Sequence, residues 1–214
     1  ELIKKSITQA FLLVSSFGFS RDSLTSNNAV IPIAYYLMTI GNPNNFELST
    51  STVQNRKKIK KWLSLSLLKK TFGGHPDDIL KILREIIQKD FPIEKITSRL
   101  KGTSKSIIFT QDDIEYILDL QCNRTDTLNV LMMLYPSLDF NNKFHIDHIY
   151  PKSKFSKKNL ETKGVSSDKI SEYVDHVNDI ENLQLLAAIP NIEKQDEDFN
   201  IWFSKNYVTD EDKT

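Results

Sequence analysis

His145-Ile146-Asp147-His148-Ile149-Tyr150-Pro151 is followed, some thirty residues on, by Asn182-Leu183-Gln184-Leu185-Leu186 and then by Pro190-Asn191-Ile192-Glu193-Lys194. The first stretch ends an apolar strand in an Asp-His pair. The second reads as a partner strand spanning about Ile180 to Leu186. The third opens a helix running from about Pro190 to Phe203, with Ile192, Phe199 and Phe203 toward the core. These residue types suit phosphodiester hydrolysis. That reaction needs a divalent cation on the phosphate oxygens and a base that deprotonates water. Asp147 and Asn191 carry hard oxygen donors suited to Mg²⁺, and a neutral imidazole at His148 accepts a proton near pH 7. His145 lies two residues before Asp147, so strand alternation puts it on the same side, as a further ligand or a support behind one.

The pattern resembles the HNH (ββα-metal) nuclease motif, D-H-I-x-P … N-L-x-L-L-x(4)-N/H-x-x-K. It is matched at Asp147, His148, Ile149, Pro151, Asn182, Leu183, Leu185, Leu186, Asn191 and Lys194. The resemblance implies that His148 is the general base and that Asp147 and Asn191 hold one metal ion, Mg²⁺ or Mn²⁺. It implies that Asn182 braces the loop after the first strand and orients the base, and that Lys194 faces a phosphate. Many HNH proteins bind a structural zinc through cysteine pairs. Ala187 and Pro190 stand where one such pair would fall, so no structural zinc is expected.

Flanking stretches narrow the resemblance. They are Ser26-Asn27-Asn28-Ala29-Val30-Ile31-Pro32-Ile33-Ala34-Tyr35-Tyr36, the segment from Lys57 ending in Thr71-Phe72-Gly73-Gly74, and Leu138-Asp139-Phe140. Over about residues 20 to 204 the chain is similar to the C-terminal half of modification-dependent (type IV) restriction proteins of the GmrSD kind, including the phosphorothioate-sensing SspE type. What the resemblance implies is a nicking DNA endonuclease, the effector of an anti-phage restriction system. Its partner would be an N-terminal nucleotide-hydrolysing sensor domain. No G-x(4)-G-K-[ST] loop occurs here and the chain begins with Glu1, so it reads as an excised effector half.

Composition is that of an ordinary globular protein of 214 residues. The single cysteine, Cys122, excludes an internal disulfide framework, fits a cytoplasmic setting and reads as a buried filler. No signal peptide is evident, and the apolar run from Ala29 to Ile40 is too short to span a bilayer. Lys+Arg and Asp+Glu balance at 28 each, but unevenly along the chain. Residues 53 to 105 hold fourteen basic against five acidic residues, whereas residues 192 to 214 hold three against seven. Phosphate contacts, which act through charge, are expected from Arg56, Lys57, Lys60 and Lys61 on one helix face, and from Lys152 and Lys154 with Lys157 and Lys158 after the catalytic strand.

Apolar spacing predicts a mainly helical chain with a small α+β part: a helical subdomain over 1–140, then a subdomain over 141–214 that the resemblance implies is ββα-metal. Helices are expected over 2–19, 29–40, 52–72, around Ile79 to Ile87, after the cap Thr110-Gln111-Asp112-Asp113, and over Leu128 to Tyr135. Ile170, Tyr173, Val174 and Val177 predict a further helix inserted between the strands. Trp62 and Trp202 are expected in the core, His75 and His176 on the surface, and Asn178, Asp179 and Glu181 in a turn. The residues fit two other readings: a DNA-binding module that keeps the nuclease fold without turnover, and an RNA-directed nuclease. They do not name the modification sensed.

Overall fold

The computed structural model describes residues 1–21, 23–140 and 142–206. It is mainly helical, with one two-stranded antiparallel sheet among the described residues. The elements in chain order are α1 (Leu2–Ser16), α2 (Val30–Thr39), α3 (Val53–Leu68), α4 (Pro76–Ile86), α5 (Ile93–Leu100), α6 (Gln111–Leu118), α7 (Thr125–Leu134), β1 (Phe144–His148), α8 (Lys157–Thr162), α9 (Ser167–His176), β2 (Leu183–Ala187), α10 (Ala188–Lys194) and α11 (Phe199–Asn206). The chain divides into two compact units: Glu1–Glu115 with Leu128–Asn141, and Tyr116–Thr127 with Asn142–Thr214. Residues 116–127, which the expected boundary after 140 leaves with the helical part, belong to the second unit.

The first unit packs around aromatic rings. Trp62 and Phe91 are fully buried, Tyr36, Phe46 and Phe72 nearly so. Trp62 meets Phe91 and Phe72 edge-on at centroid distances of 5.1 and 6.0 Å, and Tyr36 meets Phe91 at 5.6 Å. Edge-to-face pairs set the negative ring face against the positive edge of its neighbour. The Tyr36 hydroxyl accepts from Asn55 Nδ2 at 2.9 Å, which gives the phenol oxygen a partner inside this cluster, and burial pushes its pKa upward.

Helix α3 carries part of the expected division. Ile59, Trp62 and Leu63 are buried inward, while Lys57 and Lys61 are exposed. Its end at Leu68 comes before the expected 72. Lys70 adopts a left-handed φ of 49°, its N–H bonds Leu67 O at 3.0 Å, and Thr71 N–H reaches back to Ser66 O at 3.0 Å. That is a Schellman-type stop built on a lysine in place of glycine. The first helix stops at Ser16, short of the expected 19, ahead of Gly18, whose φ of +95° suits only glycine and where a Cβ would meet the Phe140 ring at 2.8 Å.

The cap ahead of α6 forms as read from the sequence. Thr110 N–H and Oγ1–H donate to Asp113 Oδ2 at 2.7 and 2.8 Å, and Asp113 N–H returns to Thr110 Oγ1 at 3.4 Å. Lys69 adds an ion pair to the same oxygen. Its side-chain hydrogen bond is the largest cause holding the Asp113 carboxyl down at about 2. A depressed folded-state pKa gives stability that is complete above the unfolded value and lost as pH falls through the folded one. Asp113→Asn should therefore cost about 1 kcal/mol near neutral pH. The difference from wild type should shrink from about pH 4 down toward pH 2. Urea unfolding of both proteins across that window measures it.

Candidate functional site

In the second unit β1 and β2 pair antiparallel, with Phe144 opposite Ala187, Asp147 opposite Gln184, and His148 opposite Leu183. The second strand starts three residues later than expected. Ile180–Asn182 form a 3₁₀ turn instead, closed by Asn182 N–H to Asp179 O at 3.0 Å. Asn182 then fastens this turn to the exit of β1. Its Oδ1 accepts from Tyr150 N–H at 2.9 Å, and its Nδ2 donates to Tyr150 O at 3.1 Å and Val177 O at 2.9 Å. Its own carbonyl accepts from Ile149 N–H at 2.8 Å. So Asn182 braces the loop after β1, and the side chain bonded to the His148 ring is a different asparagine.

The expected single C-terminal helix is two. Pro190 falls in the first turn of α10, where its missing N–H is harmless. Gln195, at φ 46° and ψ −119°, ends α10, and Asp198 starts α11 by accepting from Asn200 N–H through Oδ1. The acidic run Asp196-Glu197-Asp198 favours this break, because Asp competes with the backbone inside a helix and caps it at the start. The break also corrects which residues face inward. Ile192 is 66% exposed, while Lys194 is 1% exposed and Trp202 3%.

Lys194 is buried because its ammonium has three partners. Asp147 Oδ2 lies at 2.6 Å, the His148 carbonyl accepts a second bond, and the Trp202 ring centroid is 5.9 Å away. Expected to face a phosphate, Lys194 instead closes α10 onto β1. Gln184, directly across the sheet, donates to the same Asp147 oxygen at 3.0 Å. Lys194 and Gln184 thus both use Oδ2, and among the described residues no side chain donates to Oδ1.

The two histidines of β1 each meet an asparagine. The His148 ring meets the turn after α9, its Nε2 at 3.2 Å from Asn178 Oδ1. His145 Nδ1 accepts from Asn191 Nδ2 at 3.2 Å. A neutral His145 that accepts at Nδ1 carries its proton on Nε2, which leaves no lone pair for a metal. It supports Asn191 from behind and leaves the amide oxygen open. Among the described residues no three His, Cys, Asp or Glu side chains gather as a metal cage. The donors these side chains could give a cation are the second carboxylate oxygen of Asp147 and the amide oxygen of Asn191. That donor set fits Mg²⁺, which keeps several waters.

The turn 176–182 is pinned from several sides. His176 Nδ1 donates to Asp179 Oδ2 at 2.5 Å, and that bond raises the His176 pKa. Both His75 and His176 are exposed, as expected. Cys122 is only partly buried, against expectation, and its N–H donates to Asn178 O at 3.0 Å. Asn178 is the residue sequence reasoning missed. Its sequence neighbours place it in a turn, and nothing local tells a turn asparagine from one bonded to a histidine thirty residues earlier. A groove of about 380 Å³ beside this turn is lined by Tyr150, Phe155, Tyr173 and Asn182, with Asp179 and Glu181 among its walls. Those two carboxylates disfavour a phosphate there.

The basic residues fall into two groups. Arg56 donates through Nη1 to Thr52 Oγ1 at 2.6 Å, Phe46 O at 3.1 Å and Ser49 O, which ties down the loop before α3. Lys60 is half-buried, 4.2 Å over the Phe140 ring, and burial lowers its pKa. These two are internal fixtures, unlike the solvent-facing side chains the sequence suggested. Lys57, Lys61 and Lys152 are exposed, and Lys154 is partly so. Compared with known proteins, the chain matches no family model and no curated protein.

Lys194→Met should leave the Asp147 charge buried without its partner and cost about 3–5 kcal/mol of stability. Asp147→Asn should do comparable damage by stranding the ammonium, and Asp147→Asn with Lys194→Met should recover part of the loss. Chemical denaturation of the four proteins as a double-mutant cycle measures the coupling.

Proposed function

We propose that this chain is a metal-dependent nuclease of the HNH (ββα-metal) type, acting on DNA. The observation that carries the reading is the closure of β1, β2 and α10 on one another through Asp147, Gln184 and Lys194, with His148 beside Asp147 at the strand end. Four side chains of the quoted pattern, Asp147, His148, Asn182 and Asn191, are within this one unit and held by named partners.

In this reading Asp147 Oδ1 and Asn191 Oδ1 hold the cation. An Mg²⁺ or Mn²⁺ ion there would supply positive charge to the scissile phosphate and its leaving oxygen. The protein's own part is to fix those oxygens. Lys194 and Gln184 occupy Asp147 Oδ2 and so leave Oδ1 for the ion, while His145 holds the Asn191 amide by its nitrogen. His148 removes the proton from the attacking water. Its neutral ring donates through Nε2 to Asn178, which leaves the Nδ1 lone pair for that proton. One base and one ion cut one strand per engagement, so nicking is the expected product. Lys57 and Lys61 in the first unit, with Lys152 and Lys154 in the second, supply nonspecific phosphate contacts. The setting we infer is an anti-phage effector driven by a nucleotide-hydrolysing sensor domain, in the cytoplasm. Among the described residues no helix is long and apolar enough to cross a membrane.

His148→Ala should abolish plasmid nicking while the circular-dichroism spectrum and DNA affinity stay near wild type. Excess EDTA should stop the wild-type enzyme, and cutting that persists in EDTA overturns the reading. A structured RNA assayed beside the plasmid separates the RNA-directed alternative. For the basic face, Lys57→Glu with Lys61→Glu should weaken DNA binding whatever the sequence. It should flatten the log–log salt dependence by roughly one unit for each phosphate no longer neutralised. An unchanged slope would leave Lys152 and Lys154 as the DNA-holding group.

A further inference from the structure

We infer that Asn178 is the positioning residue for His148, and that the segment from Gln121 to Arg124 holds Asn178 in place. The inference rests on reading His148 as the base, yet it concerns a contact outside the motif that suggested that reading.

An imidazole acting as a base must keep one nitrogen free of its proton and keep that nitrogen aimed. A ring with no fixed partner exchanges tautomers and rotates about χ2, a broad torsion with no strong well of its own. Asn178 Oδ1, 3.2 Å from His148 Nε2, is an acceptor in this arrangement, so the proton belongs on Nε2. The choice of amide oxygen over nitrogen is supported by a second donor at the same atom. Cys122 Sγ lies 3.7 Å from Asn178 Oδ1, a thiol hydrogen-bond distance. In this arrangement the oxygen accepts from both the imidazole N–H and the thiol S–H.

An orienting group serves only if it is itself fixed. Asn178 is held by its backbone, since its carbonyl accepts from Cys122 N–H at 3.0 Å. Next to it, Gln121 and Asp179 form an isolated antiparallel bridge, and Gln121 Nε2 donates to Asp179 Oδ1 at 3.2 Å. The other side of this clamp is fixed too. Thr127 Oγ1 donates to Gln121 O at 2.6 Å, and Arg124 N–H donates to the same carbonyl at 3.0 Å. Hydrogen bonds thus run from the Gln121–Arg124 turn through Asn178 to His148, all within the second unit. They give a physical reason why residues 116–127 belong there.

Two measurements on the full chain test this. In the first, ¹⁵N-labelled histidine spectra of the metal-free protein in EDTA, above the range where the rings are charged, report the tautomer. Wild-type His148 should show Nε2–H, and Asn178→Ala should show a mixture of tautomers. The isosteric Asn178→Asp, which keeps an acceptor in the same place, should restore Nε2–H. In the second, Asn178→Ala should lower the turnover of nicking by about 10–100-fold with KM for DNA unchanged, and Asn178→Asp should recover most of it. A His148 tautomer identical in wild type and Asn178→Ala overturns the inference, as does a loss carried by KM alone. If wild-type protein cuts no nucleic acid, the nuclease reading falls, and the spectra still decide whether Asn178 positions the ring.

Discussion

The buried ion pair between Lys194 and Asp147 is the contact on which the second unit depends. Taking an ammonium and a carboxylate out of water costs several kcal/mol each, and only close geometry with further hydrogen bonds offsets it. Both conditions hold: the pair is 2.6 Å apart, and the His148 carbonyl, the Gln184 amide and the Trp202 ring complete the surroundings. One contact therefore joins α10 to both strands. It also gives a carboxylate at the strand end two different oxygens, one committed to the protein and one open. A hydrophobic residue of lysine's size would pack α10 as well, but it would not define which oxygen stays available.

Much of the fold could be read from the sequence because periodicity reports burial directly. The inward face of α3, the cap at Thr110 and Asp113, the end of β1 at the Asp-His pair and the burial of both tryptophans all follow from local patterns. The failures share a cause, which is that the deciding partner is distant in sequence. Lys194 looks like a surface lysine until Asp147 is placed against it. Ile192 looks like a core residue until α10 is turned by that pair. Arg56 and Lys60 look like a solvated stripe until the Phe46–Ser49 carbonyls and the Phe140 ring are brought alongside.

The same holds within the candidate site. Residue types that suit a metal or a proton could be named from the motif, but the assignment of roles among them could not. His145 and His148 are both strand histidines, and only their partners separate them. One accepts from an amide nitrogen and so supports its neighbour, whereas the other meets an amide oxygen and so keeps a lone pair. Two asparagines four residues apart divide the work that the motif gives to one, Asn182 tying backbone and Asn178 meeting the ring.

The stretch between α6 and α7 has a bearing on how this protein can be taken apart. A minimal fragment chosen by motif would start near residue 141 and would look complete, with both strands, the inserted helices and α10. It would lack Gln121 and Cys122, and with them the external hold on the Asn178 turn. The second unit is thus discontinuous: its boundaries in space do not coincide with any single cut in the sequence. A graft of this module onto another protein must carry the 116–127 segment as a separate piece or find a substitute for it.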